Sequence, residues 1–345
     1  MKKSLIALAV LAASGAALAQ SSVTVYGRLD ASVGSSKVGN VGPALTSNTQ
    51  LFSNNLTTSR LGFRGTEDLG GGLSALFIIE TGFAPDSPVG TTLGDRAAVV
   101  GLSGGFGTIK LGRHDTSFDD IRDLMVSSNI WDATNFATTE TIVGTGGTAT
   151  NGVGGLGDYG DRANNQIRYE SPSFSGFTFG ISHGFGEATK PAKTDVTAFN
   201  IRYKAGALDV GYAYQENKNI SATLVNTGLE YNTLAAAYNF GAFRVSGGWN
   251  QAKRDVAGGV KANTYTVGVN VPVSAFDFSV GYSTGKAKQN GVTLEKGDAF
   301  SAGATYALSK RTRLYAAITN GDIENGAGVK QRQRDIYAAG VIHTF

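Results

Sequence analysis

The sequence predicts an all-β fold, a sixteen-stranded antiparallel transmembrane β-barrel, on three observations. Apolar and polar residues alternate with period two in segment after segment, the mark of strands whose faces meet different solvents. The connections between these segments are alternately short and long. After residue 20, no apolar run approaches the ~20 residues that a membrane-spanning helix needs.

The first residues predict export. Lys2 and Lys3 precede an apolar stretch, Leu5–Leu11, and a small-residue cleavage site at Ala17-Leu18-Ala19. This pattern is a secretory signal peptide over residues 1–19 rather than an anchoring helix, for which the apolar stretch is too short. One barrel domain, residues 20–345, is expected to follow.

Composition narrows the class further. The absence of cysteine excludes a disulfide framework and a thiolate metal site. Without Lys2 and Lys3 the formal net charge falls from +3 to +1, far from the strongly basic face of a nucleic-acid-binding protein. Glycine is abundant, with 48 residues, but regularly spaced Val, Ile, Phe and Tyr argue against glycine-rich disorder.

The first predicted strand, Ser22–Gly34, sets Val23, Val25, Gly27, Leu29, Ala31 and Val33 on one face. Thr24, Tyr26, Arg28, Asp30 and Ser32 occupy the other. Leu56–Thr66 follows, with Leu61 and Phe63 opposing Arg60 and Arg64, and then Leu73–Gly82, Arg96–Ser103 and Gly107–Arg113. After a long interval come Arg162–Glu170, Gly176–Phe185, Asp195–Lys204, Leu208–Gln215 and Gly228–Tyr238. Ala242–Gln251, Asn263–Val271, Phe276–Thr284, Ala299–Ala307, Thr312–Thr319 and Asp335–Phe345 complete an even set, as bacterial outer-membrane barrels require. Short turns such as "EDLGGG", "SPSFSG" and "NFGA" alternate with long connections at 35–55, 187–194, 252–262, 286–298 and 320–334.

Hydrocarbon offers no partner for a backbone donor or acceptor, so a β-structure crossing it has to close. Apolar faces then meet lipid, and aromatic residues near strand ends, such as Tyr169, Tyr203, Tyr282 and Phe345, fit interfacial girdles. Sixteen strands leave an aqueous channel instead of a filled interior, which suits the polar inner faces.

Between Leu73 and Arg113 the alternation is unclear, because Leu76 and Ile78 share parity with Glu80, and Ala98, Val100 and Leu102 with Arg96. We assign these strands to a subunit contact. The interval 114–160 is long enough to be functional. Its first part, including "DDIRDLM", has a helical look, and an apolar, acidic segment of this kind has room to fold inward and narrow the lumen. Asp119, Asp120 and Asp123 are its candidate acids, with Glu80 a further inward one. The loop carboxylates would also suit Ca²⁺, but no cofactor is required by any pattern in the chain.

The segments "SRLGFRGTEDLGGGL" (59–73) and "RANNQIRYESPSFSGF" (162–177), with the terminal Phe345, resemble signatures of the trimeric general diffusion porins of Gram-negative bacteria, β-proteobacterial branch. The resemblance covers essentially the whole mature chain. It implies a passive channel for ions and small hydrophilic solutes, a homotrimer, an outer-membrane location and an inward-folded constriction loop. It also implies that Phe345 is read by the barrel-assembly machinery, and that lipid and lipopolysaccharide surround the barrel. Arg28, Arg60, Arg96 and Arg162 match the family's basic constriction wall, and all four have inward parity; Arg64 would line the lumen nearer the short-turn mouth. The loop lacks the Pro-Glu-Phe-Gly-Gly pattern of the enteric members, so its acids rest on composition alone. Four wall arginines favour anions.

A substrate-selective channel would need an aromatic track in the lumen. A barrel hydrolase would need a Ser-His pair with an orienting group, yet His183 and His343 have apolar-face parity and His114 has no identifiable nucleophile. The glycine cluster at 101–107 lacks the helix a phosphate loop requires. Asn55-Leu56-Thr57 and Asn219-Ile220-Ser221 match glycosylation acceptors by pattern only.

Overall fold

The computed structural model describes residues 22–43, 45–87, 92–125, 162–187, 194–219, 228–254 and 258–345. The expected signal peptide and the glycine-rich part of the 114–160 interval lie outside them.

The chain forms one antiparallel sheet closed on itself. Its strands are β1 (Ser22–Asn40), β2 (Asn48–Ser53), β3 (Arg60–Gly70), β4 (Leu73–Gly82), β5 (Ala97–Gly104) and β6 (Gly107–Asp115). After the long interval come β7 (Arg162–Glu170), β8 (Phe177–Gly184), β9 (Val196–Ala205), β10 (Leu208–Asn217), β11 (Leu229–Asn239) and β12 (Arg244–Arg254). β13 (Lys261–Val273), β14 (Phe276–Gln289), β15 (Val292–Ala307), β16 (Thr312–Asn325) and β17 (Lys330–Thr344) complete the wall.

Among the described residues, seventeen segments occupy sixteen strand positions, because β2 and β3 share one place beside β1. β2 pairs with Ala31–Ser36 and β3 with Ser22–Arg28. β1 also pairs with β17 from Arg28↔Thr344 to Asn40↔Arg332, which shuts the barrel. The amide of Phe345 donates to the carbonyl of Gly27 at 3.1 Å, and the Gly27 amide returns the bond to Phe345. The Phe345 ring lies over Gly27, where a Cβ would come within 2.3 Å of the ring. Glycine is required there because the terminal aromatic takes the space of its side chain.

The outer face carries the predicted apolar residues. Val23, Val25, Phe179, Ile181, Val267, Phe278, Val280 and Tyr282 are exposed, whereas Asp30, Ser32, Thr264, Thr266, Ser279 and Ser283 on the opposite face are buried or shielded. Left-handed residues mark the short-turn end, among them Gly70–Gly72, Gly107, Gly176, Gly206 and Gly241.

Two expected long loops are strands. Residues 286–298 continue β14 and β15 and turn at Asn290-Gly291, both with positive φ, and residues 320–334 likewise extend β16 and β17. An Asn-Gly pair suits the tight turn that matches strand twist. Beyond the lipid the outward residues are Lys286, Lys288 and Lys296, so the apolar signal used to find strands ends before the strands do. Residues 35–55 are likewise mostly strand.

The ambiguity of β4 and β5 resolves into a clean outer face. Phe77 pairs with Val100 and Ala75 with Leu102, all outward, and Val100 and Leu102 are exposed. Leu76 and Ile78 pair with Gly101 and Val99 on the inner face, beside Glu80 and Ala97. Arg96 precedes β5, so its direction is set by the turn and not by strand alternation.

Candidate functional site

Among the described residues, two structures rise from the inner wall. The first begins at Thr116 and includes the short helix α1 (Asp119–Arg122) and a 3-10 turn, Asp123–Met125. Phe118, Ile121, Leu124 and Met125 are buried in one cluster with Ala198, Ala213, Tyr231, Ala235 and Ala252 of the wall. Small inward residues make the groove. A Cβ on Gly211 would meet Ile121 Cδ1 at 2.4 Å, and one on Gly248 would meet Met125 Sδ at 2.7 Å. Phe118 sets its ring edge-on to Tyr231, with centroids 6.2 Å apart.

Polar contacts fasten the same segment. Arg168, only 4% exposed, donates through Nη2 to both carboxylate oxygens of Asp120, at 2.8 and 2.7 Å, and through Nη1 to the carbonyls of Asp115 and Thr116. Its Nε reaches Glu170 at 2.8 Å, which also accepts from Lys110 at 2.7 Å. Asn200 donates to Asp120 at 2.8 Å, and Thr116 to Gln215 at 2.5 Å. Asp119 pairs with Arg122 at 3.2 Å, and Asp123 lies 3.7 Å from the same guanidinium with its side chain 65% exposed. Arg168 escaped the sequence reading although it lies in "QIRYE" and shares parity with Gln166 and Glu170.

The second structure is the break between β2 and β3. Residues 54–59 leave the wall, and Asn55, Leu56, Thr57 and Ser59 are buried. Leu56 joins Phe52, Tyr315, Ala317, Ile336, Ala338 and Ile342 in a cluster on the inner wall. The buried Asp30 carboxylate accepts from the amides of Leu56 and Thr57 at 2.7 and 2.8 Å and from the Tyr315 hydroxyl at 2.7 Å. Asn55 is fully buried and donates to Ser32 at 2.7 Å, which removes it as a glycosylation acceptor.

Beside this bend the arginines collect. Arg28 and Arg60 are opposite each other in the β1–β3 register. Arg60 lies 3.7 Å from Glu80, and Arg96 Nε bonds Glu80 Oε1 at 2.7 Å. The Tyr26 hydroxyl donates to the other Glu80 oxygen at 3.0 Å, and Arg64 stacks over the Tyr26 ring, 5.0 Å from its centroid. Arg28, Arg60, Arg96 and Arg64 thus form one wall, with Glu80 inside it and not across the lumen. Arg64 lies four residues nearer the short turn than Arg60, about 13 Å along the strand. Arg162 pairs with Asp115 at 2.9 Å, next to a bulge between Gly112 and His114, where Ala163 takes the inner position against Gly184.

A closed barrel with an apolar outside and a charged, hydrogen-bonding inside is a water-filled membrane channel. The model of the Gram-negative porin family matches residues 5–326, and this chain belongs to that family. It is 36% identical to outer membrane porin protein 32 of Delftia acidovorans, over 99% of this chain and 95% of the relative. It is 31% identical to an outer membrane porin of Bordetella pertussis over the full length of both. Among solved structures it resembles the anion-selective porin from Comamonas acidovorans, with a TM-score of 0.77 and 29% identity over 94% of this chain and 100% of that one. The protein is an outer-membrane passive diffusion channel for ions and small hydrophilic solutes.

Proposed function

We propose that this channel prefers anions and that Arg28, Arg60 and Arg96, with Arg64 below them, set the preference. The carrying observation is the balance of the wall: four guanidinium groups stand around one carboxylate, Glu80, which Arg60 and Arg96 contact, and Asp30 sits saturated behind the bend. The similar Comamonas porin is described as anion-selective. Arg162, engaged with Asp115, is a more distant contributor to the same field. Reversal potentials across a planar bilayer in a salt gradient test the reading. Arg60→Ala is expected to lower the anion-to-cation permeability ratio with folding intact, and cation preference of the unaltered channel would overturn the assignment.

In this reading the 114–160 interval narrows the lumen, and Asp119, Asp120 and Asp123 are its acids. Arg122 and Arg168 hold the first two, so these acids oppose the arginine wall only weakly. A Ca²⁺ there would have to displace both guanidinium groups. Of the inward aromatics, Phe52, Tyr231 and Tyr315 are buried under the two lumenal structures and Tyr26 is engaged by Glu80 and Arg64, which favours general diffusion over a substrate track. The channel works without catalysis.

Three chains are expected to assemble into a trimer after removal of residues 1–19, with Phe345 read during assembly. A shallow outer groove of small residues on β1 and β15–β17, including Ala302, Ala316 and Ala339 beside Val33 and Tyr337, supports close packing of neighbours on that side of the barrel. Lipopolysaccharide contact is supported by an outward lysine patch. Lys261 faces Lys288 across β13 and β14, Lys286 lies two residues away, and among the described residues these three have no ion-pair partner. Lys286 stands about 13 Å along its strand beyond the outward Tyr282. That is headgroup level, where phosphates would relieve the repulsion of directly opposed like charges.

A further inference from the structure

The inward bend at residues 54–59 does more than fill space. Arg28 and Arg60 sit at directly opposite positions of neighbouring strands, an arrangement in which like charges repel. Between them the structure places one neutral acceptor. The Thr57 hydroxyl accepts from Arg28 Nη1 and, at 3.3 Å, from Arg60 Nη2. The neighbouring Thr58 carbonyl accepts from Arg60 Nε at 3.1 Å, so the Arg60 fork is held on two edges by the bend.

Thr57 is itself fixed. Its amide is bound by Asp30, whose other oxygen takes the Tyr315 hydroxyl, and its neighbour Leu56 is buried in the apolar cluster of β16 and β17. The barrel thus reaches across its closing seam to hold one hydroxyl in place. The competing attraction on Arg60 is Glu80, 3.7 Å away and already bound to Arg96. An Arg60 released from the bend would turn towards that carboxylate, where its charge is neutralised and withdrawn from a passing ion.

We infer that Thr57 is a positioning residue for ion selectivity, holding Arg28 and Arg60 side by side as a paired anion-attracting step, with Asp30 and Tyr315 as its anchor. The inference rests on the reading that the arginine wall sets anion preference. It adds a neutral residue from outside the regular strands to the determinants of that preference.

The test compares Thr57→Val, which keeps the shape and removes the acceptor, with Thr57→Ser, which keeps the hydroxyl, and with Arg60→Ala. Reversal potentials are recorded in potassium chloride gradients, and thermal unfolding of each purified channel is followed in parallel. Thr57→Val is expected to reduce the chloride-to-potassium permeability ratio about two- to threefold, less than the full worth of the two hydrogen bonds lost, because both arginines keep their charge and only their placement changes. Thr57→Ser is expected to hold the ratio within experimental scatter, with both variants melting as the parent does. A reduced ratio in Arg60→Ala with an unchanged ratio in Thr57→Val overturns the role of Thr57 and leaves the wall intact. Equal losses in Thr57→Val and Thr57→Ser overturn the role of the hydroxyl. An unmoved ratio in Arg60→Ala overturns the wall, and the inference with it.

Discussion

Arg168 and Asp120 meet as a two-pronged ion pair across the lumen's inner surface, joining the strand that follows the long interval to the first turn of the segment within it. The guanidinium is almost wholly buried and all its further contacts are also to acceptors, whereas the carboxylate is 37% exposed. The pair therefore acts as a clasp that fastens the interval's beginning to the strand that follows it.

Opening that clasp is expected to loosen the lumenal segment without unfolding the barrel. Arg168→Met would leave Asp120 with Asn200 and strip the Asp115 and Thr116 carbonyls of their donor. The expected cost is about 1–3 kcal/mol, limited by the exposure of the carboxylate. Single-channel recording should give a larger and noisier conductance, and an unchanged, quiet trace would refute the clasp.

The glycine groove gives a second handle on the same segment. A side chain at Gly211 or Gly248 has to displace Ile121 or Met125, because its Cβ alone would stand 2.4 or 2.7 Å from them. Gly211→Val is expected to lift α1 from the wall, with a strain of about 1–3 kcal/mol for overpacking. A lower melting temperature and altered conductance should appear together. An inert Gly211→Val would show that the segment has another place to rest.

Charge at the outer rim is testable by lipid retention. Replacing Lys261, Lys286 and Lys288 with Gln leaves strand pairing untouched and removes three positive charges from β13 and β14. Each removed charge near an anionic surface is worth about 1 kcal/mol, so lipopolysaccharide carried through purification should fall at least tenfold. Pore conductance should stay as it was, because these side chains point away from the lumen. Undiminished lipopolysaccharide would place its binding elsewhere.

Much of this was legible in the residues because a membrane barrel keeps two solvents on its two faces. Val23 to Val33 and Phe276 to Tyr282 announce both strand and outward direction in a single alternation. The signal ended where lipid ended, which is why Lys286 and Lys288 looked like loop. The arginines at 28, 60 and 64 were visible from parity, but Arg96 turns inward from a bend and Arg162 stands next to a bulge, neither of which alternation records. Least legible were the two lumenal structures, which depend on contacts between distant segments. Inward Gly211, Ala213, Ala235, Gly248 and Ala252 were a readable trace of the first, since small residues on a watery face leave room for something to dock. The Asp30–Tyr315 anchor of the second joins β1 to β16, and nothing local in either strand points to the other.

The pairing of β1 with β17 has a consequence for what an incomplete wall can be. Arg28 and Thr344 are partners although β2 to β16 all lie between them in sequence, so the contact that completes the wall is the most remote pairing in the sheet. Before it exists, the opening strand and the growing edge both present rows of unsatisfied amides and carbonyls, which hydrocarbon does not tolerate. Contacts so remote in sequence are also the slowest to form. A wall without β17 is therefore not a narrower channel: it leaves β1 and β16 as two open edges whose amides and carbonyls lipid does not satisfy.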